Sequence, residues 1–263
     1  MSNIKLVATD LDGTLIRGYR PDCSEEAIEL MSQLVAKGVY VVPASGRQYF
    51  NLRNMFADVD GELLYICENG ALVMYGDKVV LKNTFDRDLA LAICHMVIDN
   101  PYCEVLISGE RTCYIMPGNE EYEDHLRNGI KNDVTVVNSP EDIQEDIIKI
   151  SYFVPVDKCA EVTEEFSKRV EGKCIIAVSG NEWVDFAPFG TSKGDALQAI
   201  EEKLGIPRED MAAFGDNEND RTMLQFVGHP YLMADGNPTM MDLDVPRCTS
   251  VEEELRRILM ELV

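Results

Sequence analysis

The chain has 263 residues, 46% apolar and 27% charged, which suits one large domain or two smaller ones around a sizeable core and speaks against disorder. Asp and Glu number 47 against 24 Lys and Arg, and the net charge of −23 repels nucleic acid and anionic membranes, so no such partner is expected. Most of these acids are expected to form a solvated surface.

Taken in chain order, the opening "MSNIKLVATD" has neither a basic start nor a long apolar stretch, so no signal peptide is expected. "IKLVA" (4–8) is apolar without alternation and predicts a strand buried on both faces. It runs into "TDLDGTL" (9–15), where continued strand alternation would turn Asp10 and Asp12 the same way, two like charges close together. "SEEAIELMSQLVAKG" (24–38) predicts a helix capped by Ser24 and ended by Gly38, with Ile28, Met31, Leu34 and Val35 on its inner face. "VYVV" (39–42) is the next strand, "PASGR" and a polar helical stretch follow, and "LLYIC" (63–67) is a third strand. This βαβ rhythm implies a parallel sheet.

Near residue 80 the rhythm changes. "ALVMYGDKVVLK" reads as a hairpin around Gly76-Asp77, and strands and helices then follow in α+β order: "DLALAICHMVID" helical, "CEVLIS" and "RTCYIM" paired, "IIKISYFV" a strand, "KCAEVTEEFSKRV" a helix, "KCIIAVS" and "EWVDFA" a last pair. The first rhythm resumes with "TSKGDALQAIEEKLG" (191–205), a helix with a Ser192-x-x-Asp195 capping box, then "MAAFGD" and "HPYLMA". A final helix follows with Val251, Leu255, Ile258 and Leu262 on one face. The expected fold class is α/β, a doubly wound, Rossmann-like parallel core (1–82 and 186–263) with an inserted α+β domain (83–185).

The eight cysteines lack C-x-x-C spacing and several lie in apolar runs, so buried free thiols are expected rather than disulfides or zinc ligands, in a reducing cytoplasm. No run approaches membrane-spanning length. The three histidines, His95, His125 and His229, are scattered and read as structural. Tyr114, Tyr122 and Trp183 read more readily as core than as substrate contacts.

Polar clusters fall where expected parallel strands end: Asp10 and Asp12 after the first, Ser45-Gly46-Arg47 after the second, and "GDNEND" (215–220) after the strand at 211–214. Lys193 opens the helix that returns from the insertion. Singly, these are a solvated turn, a helix cap, a surface charge and a loop. Together they mark the edge at which open α/β sheets bind ligands. Clustered aspartates without cysteine or histidine suit a hard cation, Mg²⁺, which would offset the repulsion between the carboxylates and leave a cationic rim for a phosphoryl group.

These motifs resemble the haloacid dehalogenase superfamily, and specifically its Cof-type phosphatases with a large α/β cap. "DLDGTL", "ASGR", "SKGDAL" and "GDNEND" are similar to the superfamily's four motifs in order, and "ENGA" (68–71) is a habitual phrase of the subfamily. The resemblance implies a phosphatase of small phosphorylated metabolites. Asp10 would be the nucleophile that forms an aspartyl-phosphate, Asp12 the acid and base, and Lys193 the charge neutraliser. It further implies phosphate binding by Ser45, with Gly46, Arg47, Thr14, Asn69 and Asn219 nearby. Mg²⁺ would be held by Asp10, the backbone carbonyl of Asp12 and Asp216, with Asp220 orienting its surroundings. Sugar phosphates and phosphorylated cofactors are the expected substrates. A phosphotransferase or mutase uses the same four motifs, and a receiver-like signalling domain is a remoter reading, since receivers are about half this length and lack the second aspartate. The oligomeric state is not legible.

Overall fold

Leu6–Thr9 is buried at every residue, as an unalternating apolar run requires of a strand covered on both faces. It opens a computed structural model in which residues 4–18, 22–179 and 182–262 are described. Two compact units emerge, one of residues 1–47, 52–81 and 192–263, the other of residues 48–51 and 82–191.

In chain order the elements are β1 (Leu6–Thr9), α1 (Glu25–Ala36), β2 (Tyr40–Pro43), α2 (Tyr49–Met55), β3 (Leu64–Cys67), β4 (Leu72–Tyr75) and β5 (Lys78–Lys82). The insertion adds α3 (Arg87–Ile98), β6 (Glu104–Ser108), β7 (Cys113–Ile115), α4 (Glu120–Asp124), β8 (Val134–Val136), β9 (Lys149–Phe153), α5 (Val156–Val170), β10 (Ile175–Ser179) and β11 (Trp183–Ala187). The chain returns through α6 (Lys193–Leu204), β12 (Met211–Gly215), α7 (Arg221–Phe226), β13 (His229–Met233), β14 (Arg247–Cys248) and α8 (Val251–Glu261).

The first unit holds a five-stranded parallel sheet in the order β14-β13-β12-β1-β2. Leu6, Ala8, Val42, Met211 and Ala213 pack on one face with Ala196, Leu197 and Ile200 of α6 and Met223 and Leu224 of α7. This is the doubly wound core that the strand and helix rhythm predicts. The third strand departs from it: β3 pairs antiparallel with β4 in a separate three-stranded sheet and meets β2 through one parallel bridge, Ala44 to Ile66. The helix faces shift too. In α1 the buried residues are Ala27, Leu30, Met31 and Leu34, with Ile28 and Val35 half-buried, and in α8 Leu259 is buried while Leu262 caps the helix.

The inserted unit holds a six-stranded mixed sheet, β10-β11-β9-β6-β7-β8, antiparallel except between β7 and β8. Alternation sends Val105, Ile107, Ile150, Tyr152, Val184 and Phe186 to the face covered by α3 and α5. A smaller cluster of Leu106, Cys113, Ile115, Tyr122, Leu126 and Val134 lies under α4 and the π-helical turn His125–Gly129, which the sequence reading missed along with β8 and β14. A boundary at residue 185 would cut β11, which continues to Ala187 within this sheet. Among the described residues no cysteine is bridged, and no helix is long and apolar enough to cross a membrane.

Candidate active site

Parallel register decides which residues meet. Thr9 lies opposite Pro43 on one side and Phe214 on the other, so the segments beginning at Asp10, Ala44 and Gly215 leave the same sheet edge side by side. Asp10 N–H donates to Phe214 O (2.9 Å), Ala44 N–H to Thr9 O (2.8 Å) and Ser45 N–H to Ile66 O (2.9 Å), which stitches the three exits together.

β1 itself stops at Thr9, so strand alternation does not carry through to Asp12. The chain instead turns back, with the N–H groups of Thr14 and Ile16 both donating to Leu11 O. The two aspartates consequently sit in different surroundings. The Asp10 carboxylate is buried, whereas that of Asp12 is 60% exposed and held by both arms of the Arg47 guanidinium, at 3.0 Å from Nε and 2.6 Å from Nη2.

Lys193, the first residue of α6, has a fully buried side chain. Its Nζ donates to Asp10 Oδ1 at 2.5 Å and to Asp220 Oδ1 at 2.7 Å. The helix start is placed by Ser192, whose Oγ accepts from Asp195 N–H (3.1 Å) as the predicted cap, while the Asp195 carboxylate accepts from the Ser192 hydroxyl (2.6 Å) in place of the reciprocal backbone bond of a full capping box. Asp220 is committed through its other oxygen as well, since Oδ2 accepts the N–H groups of Asp216 (2.9 Å) and Asn217 (3.1 Å). It therefore anchors both the lysine and the loop that carries Asp216.

Asp216 Oδ1 accepts the Thr14 hydroxyl at 2.7 Å. Gly13 approaches the same carboxylate so closely, at φ +94°, that a Cβ there would lie 2.5 Å from Asp216 Oδ2. The carboxylates that converge are Asp10, Asp216 and Asp220, each offering an oxygen within 4.8 Å of the others. The Asp12 carboxylate, expected among the metal ligands, is not in this group.

Burial pushes the Asp10 carboxyl up to about 7, with Lys193 pulling it back and Asp220 and Asp216 adding repulsion. Burial likewise raises Asp216, against the opposing hydrogen bond from Thr14. For Lys193, burial alone would favour the neutral amine, but Asp10 and Asp220 outweigh it and hold the group above its ordinary value. Three carboxylates facing one ammonium leave an excess of two negative charges when all are ionised. An all-oxygen donor set with that excess fits a hard dication such as Mg²⁺.

The remaining predicted residues border this cluster. Ser45 is buried, its Oγ accepts the Arg47 N–H (3.3 Å), and its carbonyl accepts the Asn69 N–H (2.9 Å). Asn69 Oδ1 accepts from Asn219 Nδ2 (3.2 Å), and its Nδ2 lies 3.0 Å from where a Cβ on Gly46 would stand. Glu68, beside Asn69, is buried and takes φ +51°, with Asn69 at +54°, a backbone that non-glycine residues seldom adopt. The phrase "ENGA" held the signal in its glycine, since a Cβ on Gly70 would strike Ser192 O at 2.2 Å, at the very start of α6.

A family model described as haloacid dehalogenase-like hydrolase matches residues 7–243. Among similar proteins, the 5-amino-6-(5-phospho-D-ribitylamino)uracil phosphatase YbjI of Escherichia coli strain K12 is 23% identical over 88% of this chain and 85% of its own. A crystal structure from Eubacterium rectale is 29% identical with a TM-score of 0.87, covering the whole of both chains. The fold is also that of the HAD subclass IIB sugar phosphatase BT4131, at a TM-score of 0.75 and 20% identity over 98% of this chain and all of the other.

Proposed function

The chain belongs to the haloacid dehalogenase-like hydrolase family, as its match over residues 7–243 requires, and from that membership we propose a Mg²⁺-dependent phosphatase that acts on small phosphorylated metabolites through an aspartyl-phosphate on Asp10. The observation that carries the reading is the buried contact of Lys193 with Asp10 and Asp220, inside a cluster of three carboxylates at the carboxyl edge of a parallel sheet. Sugar phosphates and phosphorylated cofactors are the proposed substrates, in keeping with the ribityl phosphate in the name of YbjI and the sugar phosphatase activity in that of BT4131. The unbridged cysteines support a reducing, cytoplasmic setting.

Lys193 grips one oxygen of Asp10, which fixes the carboxylate and leaves the other oxygen to attack phosphorus. As the new P–O bond forms and the ester bond breaks, Asp12 gives the departing alcohol its proton. It then takes a proton from the water that hydrolyses the aspartyl-phosphate. Arg47 orients the ionised Asp12 in the resting site and releases it as Asp12 takes up from solvent the proton that it gives to the leaving alcohol. Ser45 Oγ accepts from the Arg47 N–H, which leaves its hydroxyl proton to donate to a phosphoryl oxygen. Asp10 and Asp216 would hold Mg²⁺, with Thr14 steadying Asp216 and Asp220 fixing the loop. When bound, the dication supplies charge neutralisation for the phosphoryl oxygens and for the carboxylates themselves.

The test is phosphate release from p-nitrophenyl phosphate and a panel of sugar phosphates with Mg²⁺. The parent chain is expected to release phosphate and Asp10→Asn none above background. Full activity in a folded Asp10→Asn sample refutes the nucleophile assignment.

A further inference from the structure

The inserted unit contains a concave site of its own. A cavity of about 430 Å³ is lined by Glu104, Asn119, Glu121, Tyr122, His125, Phe153, Glu182 and Trp183, a volume typical of small-molecule pockets. Sheet register builds its floor. Glu104 on β6 lies opposite Phe153 on β9, and Phe153 opposite Trp183 on β11, so the three side chains stand in a row on one face. α4 brings Tyr122 against that row, its ring 6.1 Å from Phe153 and 6.2 Å from Trp183, at interplanar angles of 29° and 30°. Phe153 and Trp183 are 5.4 Å apart, so the rings make one continuous aromatic wall.

Of the other lining residues three are acidic, Glu104, Glu121 and Glu182, beside Asn119 and His125. Glu104 accepts a hydrogen bond from Asn119 Nδ2 at 2.7 Å, and among the described residues no Lys, Arg or His pairs with Glu104, Glu121 or Glu182. Three carboxylates against His125 as the one basic side chain of the lining leave a negative potential over ring faces that are themselves negative. Tyr122 adds a further observation: it is 6% exposed and its hydroxyl is buried with no hydrogen-bond partner. A hydroxyl left so costs stability unless something is gained elsewhere. The carboxylates do not converge for a metal ion, because among the described residues only Asp10, Asp216 and Asp220 bring ligand atoms within reach of one another.

We propose that this cavity binds an organic cation with an apolar body, an alkyl- or arylammonium, its charge set among Glu104, Glu121 and Glu182 and its body against Tyr122, Phe153 and Trp183. Cation–π attraction to the rings and Coulomb attraction to the carboxylates act together there, and the net charge of −23 draws cations to the molecule as a whole. The lining belongs wholly to the inserted unit, and the test below reads binding and not phosphate release, so its failure is distinguishable from a failure of the phosphatase reading.

Trp183 is the chain's one tryptophan, so its fluorescence reports on this cavity directly. The full chain is titrated with benzyltrimethylammonium chloride in moderate salt, which screens attraction to the general surface charge. The expected result is a saturable change with half-saturation at roughly 1 mM or below, unaltered in Asp10→Asn. It should weaken about tenfold when Glu104→Gln and Glu182→Gln are combined, while benzyl alcohol gives no saturable change. Calorimetry on the same samples reads the binding without relying on tryptophan emission. Absence of saturable binding, equal binding of benzyl alcohol, or parent-like affinity in the folded double variant overturns the proposal.

Discussion

Each unit of this protein buries a lysine beside an aspartate, and the two pairs are built differently. In the first unit Lys193 is fully enclosed and meets two carboxylates, at 2.5 and 2.7 Å, with Asp216 close by. In the inserted unit Lys149 stands 3.8 Å from Asp185, whose oxygens are both taken by serine hydroxyls, Ser151 at 2.6 Å and Ser179 at 3.0 Å. One acid answered by one base and two hydroxyls is a satisfied polar network, which stabilises a sheet and has no call on anything from outside. Three acids answered by one base retain an electrostatic demand. The fold meets it by offering the cluster at a sheet edge, where a dication and a phosphoryl group can enter.

The largest effect expected from this contrast is in catalysis. Asp10→Asn should lower phosphate release at least about a thousandfold, and Lys193→Met about a hundredfold or more, both measured as initial rates at saturating Mg²⁺. Lys149→Met should instead cost stability, of order 3 kcal/mol for stranding a buried carboxylate, with the turnover of p-nitrophenyl phosphate by the folded fraction unchanged. A collapse of turnover in folded Lys149→Met would break the comparison.

Gly13→Ala comes next. The positive φ and the clash with Asp216 should cost about 1–3 kcal/mol and displace the carboxylate, which a Mg²⁺ titration reads as a higher metal requirement.

The pH dependence sharpens the contrast further. Asp10 titrates near 7 in the folded chain against an ordinary 3.8, so the fold favours its protonated form. Its contribution to stability is complete below the lower value and is lost as pH rises through the upper one. In chelator the melting temperature should fall across that window, and Mg²⁺ should restore it most at the alkaline end. A melting temperature that rises over the same range in chelator would contradict the charge excess at the site.

The smallest effect belongs to the exposed pair of Arg47 and Asp12. Arg47→Ala should change stability by no more than about 1 kcal/mol while slowing turnover through a less ordered Asp12, seen as a fall in kcat at constant fold.

Much of the first unit was legible because its signals are local. An unalternating run such as Leu6 to Thr9 demands cover on both faces, Ser192 and Asp195 announce a helix start, and Gly205 takes φ +67° at its end. The faces of α1 and α8 were less legible, because several helix positions are apolar and packing alone selects Ala27 and Leu30 over Ile28 and Val35. The inserted unit was legible as alternating strands and amphipathic helices but not in detail: β8 is three residues long, and α4 passes into a π-helical turn. Trp183 and Tyr122 read as core residues, and Tyr122 is indeed buried, yet the same two rings also wall a cavity.

From its residue order alone this chain determined which side chains are the candidates for the chemistry: aspartates at strand ends, a serine, a lysine at a helix start, and glycines where the backbone must turn sharply. Those are properties of short segments and of residue type. The tertiary structure decided which carboxylates share one space. It buried Asp10 with Asp216 and Asp220 and left Asp12 in the grip of Arg47, because β1 ends at Thr9, before alternation can align Asp10 with Asp12. Burial, charge balance and the shift of a titrating group depend on neighbours from distant parts of the chain, and only the folded arrangement brings those together.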